Sequence, residues 1–164
     1  VAQQGHPKSL AKKMTEVFIN HQPQLQCYPG VKTMLEQLHG RYLLGILTDG
    51  RQSSQQKKIE ALDLQNKVDA ILLSDSMGLT KPNTKLFEWF EEKFGLLGSQ
   101  LAYIADNPLK DFLGANQRSW LTFRVLTGEH AALQISEESR ADLTLARVTD
   151  LPSELLRCMR CNRS

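Results

Sequence analysis

Three short polar segments each come after an apolar run, and their side chains are of the types that bind phosphate and a divalent cation. The first segment contains Thr48 and Asp49, the second contains Lys81, and the third contains the acidic pair Asp106 and Asp111. A hydroxyl and an ammonium group suit a phosphate, while carboxylates are the ligands that Mg²⁺ prefers. Each segment alone is also typical of a turn or a helix cap. Together they favour a phosphate site with a metal ion.

Apolar runs alternate with amphipathic segments, and this pattern indicates how the polar residues are positioned. Short apolar runs predict five strands, at 42–47, 70–73, 101–105, 120–126 and 143–145. Apolar residues at helical spacing predict intervening helices that begin near residues 31, 51, 85, 111 and 151. The alternation predicts an α/β fold with a parallel sheet and helices on both faces. Because such sheets bind ligands beyond the carboxyl ends of their strands, we expect the polar segments to share one crevice.

The length, charge and composition of the chain argue against several classes of function. The chain has 164 residues, enough for one domain. Its 20 Lys and Arg and 18 Asp and Glu give a net charge of +2, which offers no electrostatic case for nucleic-acid binding. No apolar run approaches the roughly 18 residues of a membrane span. Three cysteines do not make a disulfide framework, so we expect a cytoplasmic protein.

The order of the polar segments resembles that of the haloacid dehalogenase-like hydrolases, in particular the phosphatases that carry a helical cap. The resemblance covers residues 28–156. The segment ending in Thr48 is similar to the family's second motif, and the segment around Lys81 is similar to the third. The segment that contains Asp106 and Asp111 is similar to the fourth motif, which is the most specific, although Ala105 stands where a Gly is common.

The resemblance implies a three-layer, Rossmann-like parallel sheet and Mg²⁺-dependent hydrolysis of a small phosphorylated substrate. Thr48 and Lys81 would be catalytic and would stabilise the charge on the phosphate. Thr48, Asp49 and Asn107 would contact the substrate. Asp106 would bind Mg²⁺ directly, and Asp111 would support the water shell of the metal.

The family's first motif, an Asp-x-Asp whose first carboxylate is the nucleophile, has no counterpart here, because residues 1–48 contain no Asp. We therefore expect the 164-residue chain to be inactive, since the aspartyl-phosphate would form on an Asp that it lacks. The strand that carries this motif in the family lies mid-sheet, so its absence would leave two inner edges unpaired. An upstream segment, a strand from another chain such as a homodimer partner, or direct pairing of the neighbours could close the sheet. Of these three, we favour an upstream segment.

The resemblance also suggests three segments: a helical cap remnant and linker at 1–27, the core at 28–156 and a polar tail at 157–164. The alternative function is that of a non-catalytic binding or scaffolding protein. A receiver domain is disfavoured because its acidic pair comes first, and no G-x-G-x-x-G motif supports a dinucleotide. Cys158 and Cys161 have the spacing of a zinc half-site, but a tail without function is the favoured interpretation.

Overall fold

Helices and strands alternate along the chain in the computed structural model, which describes Leu10 and residues 24–161. The helices are α1 (Val31–Leu38), α2 (Gln52–Ala61), α3 (Lys85–Phe94), α4 (Phe112–Gln117) and α5 (Leu151–Cys161). The strands are β1 (Gly45–Thr48), β2 (Ala70–Leu73), β3 (Ala102–Ala105), β4 (Leu121–Val125) and β5 (Leu143–Leu145). The expected α/β class is confirmed.

The strands form two separate parallel sheets in the described part of the chain. β1 pairs with β2, with Gly45 opposite Ala70 and Thr48 opposite Leu73. β4 lies between β3 and β5, with Ala102 opposite Leu121. β1 and β3 do not pair with each other, so direct closure of the sheet, one of the three alternatives, is wrong for this structure.

Two apolar clusters flank the strands, as expected for helices on both faces. One cluster includes Phe87 and Phe90 of α3, with Trp120 beside β4. The other includes Met34 of α1 and Leu151 of α5. Their members repeat every three or four residues along each helix, which is the spacing that turns one helical face to the core.

Two element boundaries differ from those that the sequence predicts. The first strand begins at Gly45 rather than at residue 42, because Arg41 and Tyr42 donate their backbone N–H groups to the Leu38 carbonyl in a turn that closes α1. The last helix continues to Cys161, so it includes residues 157–161 of the segment that the sequence suggests as a polar tail, 157–164. Cys158 packs against the second cluster and extends the apolar face of that helix.

The helix predicted within residues 1–27 lies outside the described residues except for Leu10. No helix in the described part of the chain is long and apolar enough to cross a membrane.

Candidate active site

The loops after β1, β2 and β3 meet at one edge of the molecule, and Lys81 lies at their centre. The Lys81 Nζ is 2.7 Å from Asp111 Oδ1, and both side chains are almost fully buried. The same Nζ donates a hydrogen bond of 3.1 Å to the Tyr103 hydroxyl. The ammonium group is therefore held between a carboxylate and a phenol, in a place where water screens charge poorly.

Asp49 fixes the backbone of this lysine. Its two carboxylate oxygens accept the Lys81 backbone N–H, each at 3.3 Å. Lys110, from the loop after β3, places its Nζ 3.9 Å from Asp49 Oδ2. Asp49 thus connects all three loops. Its carboxylate is used for positioning, whereas the sequence resemblance gave it a substrate contact.

Thr48 ends β1 and leads into the start of α2. Its hydroxyl donates a 3.1 Å hydrogen bond to Gln55 Oε1, a partner that can move away because it is the end of a flexible side chain. Gly50 makes the turn with a φ of +115°, a conformation that side-chain-bearing residues rarely adopt. The backbone N–H of Gln52, in the first turn of α2, donates a 3.0 Å hydrogen bond to Asp75 Oδ2. Asp75 thus satisfies one of the N–H groups that lack a partner within the helix.

The loop after β3 is tightly hydrogen-bonded around Asn107. The Asn107 backbone N–H donates to Asp111 Oδ2, and its side-chain oxygen accepts the Leu109 N–H, both at 3.0 Å. Its carbonyl also accepts the Asp111 N–H at 3.0 Å. These bonds hold Asp111 toward Lys81. They also occupy the side-chain oxygen of Asn107, a residue to which the sequence resemblance gave a substrate contact.

Asp106 is the carboxylate available for a cation. No group among the described residues hydrogen-bonds to it, and it is partly exposed in the crevice. No group of three metal-ligating side chains occurs within residues 24–161. Mg²⁺ commonly binds through one or two carboxylates, water and substrate phosphates, so Asp106 fits as one ligand. Asp111, paired with Lys81, fits better as a second-sphere residue than as a direct ligand.

Tyr103 is a site residue that sequence reasoning missed. It lies on β3, where alternation places it beside Lys81, and its ring packs edge-on against Phe87 with centroids 5.2 Å apart. Burial raises the pKa of its hydroxyl well above the usual value, and the carboxylates of Asp111, Asp49 and Asp106 raise it further. The phenol is therefore a neutral hydrogen-bonding group. A hydroxyl-bearing side chain within an apolar strand is the signal that could have identified it.

The chain is similar to known proteins in sequence and in fold. The family model for haloacid dehalogenase-like hydrolases matches residues 2–124. The chain belongs to the haloacid dehalogenase-like hydrolase family. Among its relatives, glyceraldehyde 3-phosphate phosphatase of Methanocaldococcus jannaschii is 29% identical over 128 residues, which are 77% of this chain and 55% of that protein. The pyrimidine 5′-nucleotidase of Escherichia coli is 31% identical over 104 residues, 62% of this chain and 46% of that protein.

Solved structures of this hydrolase family share the fold. A 2-haloacid dehalogenase from Pseudomonas syringae superposes with a TM-score of 0.74 at 24% identity, covering 92% of this chain and 62% of its own. A HAD-hydrolase from Bacillus subtilis bound to magnesium gives a TM-score of 0.75 at 17% identity, covering 94% and 65%. The chain spans about half the length of the curated relatives it matches.

Proposed function

We propose that the crevice at the ends of β1 and β3 is the phosphate- and Mg²⁺-binding half of a phosphomonoester hydrolase site. The observation that carries this proposal is the buried Lys81, which Asp111 and Tyr103 hold at its side chain and Asp49, the residue after Thr48, holds at its backbone. The carboxylate of Asp106 lies close enough to raise the pKa of the Tyr103 hydroxyl. The kinship with phosphatases supports it. Relatives named as haloacid dehalogenases have the same fold, but a carboxylate available for Mg²⁺ favours the phosphatase chemistry.

Each residue of the half-site has one task in the proposed reaction. The Thr48 hydroxyl and the Lys81 ammonium donate hydrogen bonds to phosphate oxygens and stabilise their negative charge as the ester bond breaks. Asp49 and Asp111 keep the lysine in place. Mg²⁺, when bound at Asp106, supplies further neutralisation of the phosphate charge.

The covalent step needs a further carboxylate, and residues 24–161 do not place one in the crevice. In that step a carboxylate oxygen bonds to phosphorus while the bond to the departing alcohol breaks, and water then releases phosphate. Asp49, Asp106 and Asp111 are committed to Lys81 or to the metal. We therefore expect the 164-residue chain to bind phosphate but not to hydrolyse its esters.

Binding and turnover test this proposal separately. Titration of inorganic phosphate with Mg²⁺, followed by calorimetry, should show one site, and Lys81→Met should lower the affinity at least about tenfold because a charged hydrogen bond is lost. Lys93→Met, on the exposed last turn of α3, is the control and should bind as the parent chain does. No release of p-nitrophenol from p-nitrophenyl phosphate is expected. Turnover that Asp106→Asn abolishes would show that the chain is a complete enzyme.

The alternative is a non-catalytic binding module. It is favoured by a specific observation, the apolar opening between β1 and β3, which is a surface suited to a polypeptide. Phosphate binding that is unaffected by Lys81→Met would favour this alternative over the hydrolase half-site.

A further inference from the structure

Arg124 is a buried cation that the proposed half-site does not use. It lies on β4 and is 5% exposed. Its neighbours Phe123 and Val125 belong to the second apolar cluster, so alternation places the Arg124 side chain on the opposite face of the sheet. A guanidinium keeps its charge at any ordinary pH, and burying a charge is costly unless it is hydrogen-bonded or paired. The bonds of Arg124 therefore indicate its role.

Backbone carbonyls, rather than a carboxylate, accept the hydrogen bonds of Arg124. Its Nη2 donates to the carbonyls of His130, Ala131 and Leu133, at 2.9, 3.2 and 3.1 Å. It makes no ion pair with any residue that the structure describes, and its Nε is buried without an acceptor there. The three acceptors all lie in residues 126–133, which follow β4 and form the β4 loop. Arg124 thus fastens this loop to the strand that precedes it.

Few other hydrogen bonds attach the β4 loop to the sheet. The Leu126 N–H donates to the Leu145 carbonyl of β5 at 2.9 Å, where the loop leaves the sheet. The N–H groups of Ala131 and Leu133 donate to carbonyls within the loop, at 3.5 and 3.2 Å. Among the described residues, Arg124 is therefore the side chain that holds the outer part of this loop in place.

The β4 loop lies against Asp106. A Cβ added at Gly128 would be 3.9 Å from Asp106 Oδ2, which is ordinary van der Waals contact. Gly128 has a φ of +80°, a backbone conformation that side-chain-bearing residues rarely adopt. In the sheet, Arg124 is paired with Ala105, the residue that precedes Asp106. The loop backbone therefore forms the wall of the crevice beside Asp106, and its anchor lies on the neighbouring strand.

The orientation of Asp106 depends on packing. No described residue hydrogen-bonds to its carboxylate, which can therefore rotate about its side-chain bonds. A metal ligand must be held close to its productive geometry, and the groups around the ligand commonly do this. The backbone at Gly128 is such a group, because a loop that lies against the carboxylate excludes orientations on that side.

We propose that Arg124 is a positioning residue for the carboxylate that binds Mg²⁺. It fastens the β4 loop so that Gly128 packs against Asp106 and limits the orientations of that carboxylate. Arg124 itself does not contact the metal or the substrate. The inference rests on the proposed function, because it takes Asp106 as the metal ligand. The contacts that carry it lie within residues 105–133.

Binding of the cation and binding of phosphate are measured separately. Mn²⁺ is the probe, because it takes the same oxygen ligands as Mg²⁺ and its free ion gives an electron paramagnetic resonance signal. Arg124→Met removes the hydrogen-bond donors and should raise the Kd for Mn²⁺ about tenfold, as the loss of a group that supports a metal ligand commonly does. The Kd for inorganic phosphate without metal, measured by calorimetry, should change by less than about twofold, because Lys81 and Thr48 are unchanged.

Two further arginine variants complete the comparison. Arg124→Lys keeps the charge and three N–H donors for the three carbonyls, so its Kd for Mn²⁺ should be within about threefold of the parent value. Arg140→Met removes a positive charge from an exposed position of the same connection between β4 and β5, where the side chain bonds to Glu137 at 3.2 Å. It should leave both Kd values unchanged. This control separates the effect of the loop bonds from that of net charge.

A variant of the loop tests the contact from the other side. Gly128→Ala strains the backbone at a φ of +80° beside Asp106, so the loop must shift and the Kd for Mn²⁺ should rise about fivefold. Gly40→Ala is the matched control, because Gly40 also has a φ of +80° and no described atom lies within 4 Å of its added Cβ. It should leave the Kd unchanged. If Arg124→Met does not fold, this pair decides the question.

The outcomes separate this inference from the proposed function. An unchanged Kd for Mn²⁺ in Gly128→Ala and in a folded Arg124→Met would overturn the inference alone. Equal rises in the Kd values for Mn²⁺ and phosphate, with a lower thermal midpoint, would do the same, because Arg124 would then serve the fold as a whole. If the parent chain binds neither ion, or if Mn²⁺ binding survives Asp106→Asn, the proposed function fails and this inference fails with it.

Discussion

The buried pair of Lys81 and Asp111 determines how the crevice presents positive charge. The Lys81 Nζ lies 2.7 Å from Asp111 Oδ1, and the side chains are 9% and 3% exposed. A pair so buried contributes little net stability, but removal of one partner leaves the other charge uncompensated. The lysine is held in place by Asp111 and Tyr103 of the chain itself, so the role of this pair can be tested by stability measurements without a ligand.

Asp111→Asn should lower the free energy of unfolding by about 3 kcal/mol, because Lys81 then keeps its charge in a buried place without a carboxylate. Urea denaturation monitored by tryptophan fluorescence measures the change. The control is Glu92→Gln, which removes one negative charge from an exposed position of α3. It should change the free energy of unfolding by less than about 0.5 kcal/mol. Equal effects of the two substitutions would show that the buried pair does not constrain the fold.

Glu91 makes stability depend on pH in the acid range. The Arg118 guanidinium, which is bonded to Glu91, lowers the pKa of that carboxyl below its ordinary 4.5. Burial raises the pKa in part, and the Trp120 N–H, which donates a 2.8 Å hydrogen bond to Glu91, lowers it further. A lowered folded-state pKa gives stability that is present above the unfolded value and is lost as the pH falls through the folded one. Glu91→Gln should thus flatten the fall in thermal midpoint below about pH 4.5. If the thermal midpoints of the parent chain and of the Glu91→Gln variant fall equally with pH, this expectation is contradicted.

The residues of the candidate site could be predicted to different degrees. Residue type and order alone suggested Thr48, Lys81, Asp106 and Asp111, because each follows an apolar run and strand ends converge. Tyr103 was missed, because within a strand its aromatic ring is typical of core packing. The positioning role of Asp49 could not be foreseen either, since its partner is the backbone N–H of a residue 32 positions away.

At the scale of elements, the structure depends on two glycines that allow close packing. Gly45 in β1 faces the Phe90 ring, where a Cβ would come within 2.5 Å of a ring atom. Gly114 in α4 faces the carbonyl of Pro82, where a Cβ would come within 2.2 Å. The neighbour of Gly45 is a side chain, but the neighbour of Gly114 is backbone, which cannot rotate away.

Gly114→Ala should therefore cost more than Gly45→Ala, at least about 3 kcal/mol against 1–2 kcal/mol in the free energy of unfolding. Because Pro82 follows Lys81, Gly114→Ala should also weaken phosphate binding, which calorimetry measures. The double variant of Gly45→Ala with Phe90→Leu is the control and should recover part of the loss at Gly45, since the smaller side chain makes room. A similar cost at both glycines would mean that the loop at Pro82 yields easily.

Element boundaries were predicted where local chemistry alone decides them. The strands at 70–73 and 143–145 have the bounds that apolar spacing predicts, and the helix at 85–94 begins at the predicted residue. The first strand is shorter than predicted because its first residues form a turn after α1. The last helix is longer than predicted, and Cys158 in its added part packs against the second apolar cluster. Both differences depend on tertiary contacts that spacing does not contain.

At the scale of the whole molecule, the division into two sheets is the feature that the residue pattern alone does not predict. The apolar runs indicated five strands but not their order, and only the family resemblance suggested a central gap. The gap leaves the two strands that carry Thr48 and the loop of Asp106 with one ladder each. Because the loops of both strands meet at Lys81, the geometry of the crevice depends on how firmly these strands are held.

The rates of amide hydrogen exchange should alternate from one residue to the next along β1 and β3, because each strand is paired on one side only. The Ile46 and Tyr103 N–H groups point into the existing ladders, whereas those of Leu47 and Ile104 point into the apolar opening between β1 and β3. In the free chain, Leu47 and Ile104 should exchange at least about 100-fold faster than Ile46 and Tyr103, because open amides need no unfolding to exchange. Nuclear magnetic resonance at single-residue resolution measures these rates.

The amides of β4 form the control for this measurement, because β4 is paired on both sides and its amides should exchange slowly at every position. Rates at Leu47 and Ile104 as slow as those of Ile46 and Tyr103 would contradict the expectation, because they would mean that the open edges of β1 and β3 are covered in solution.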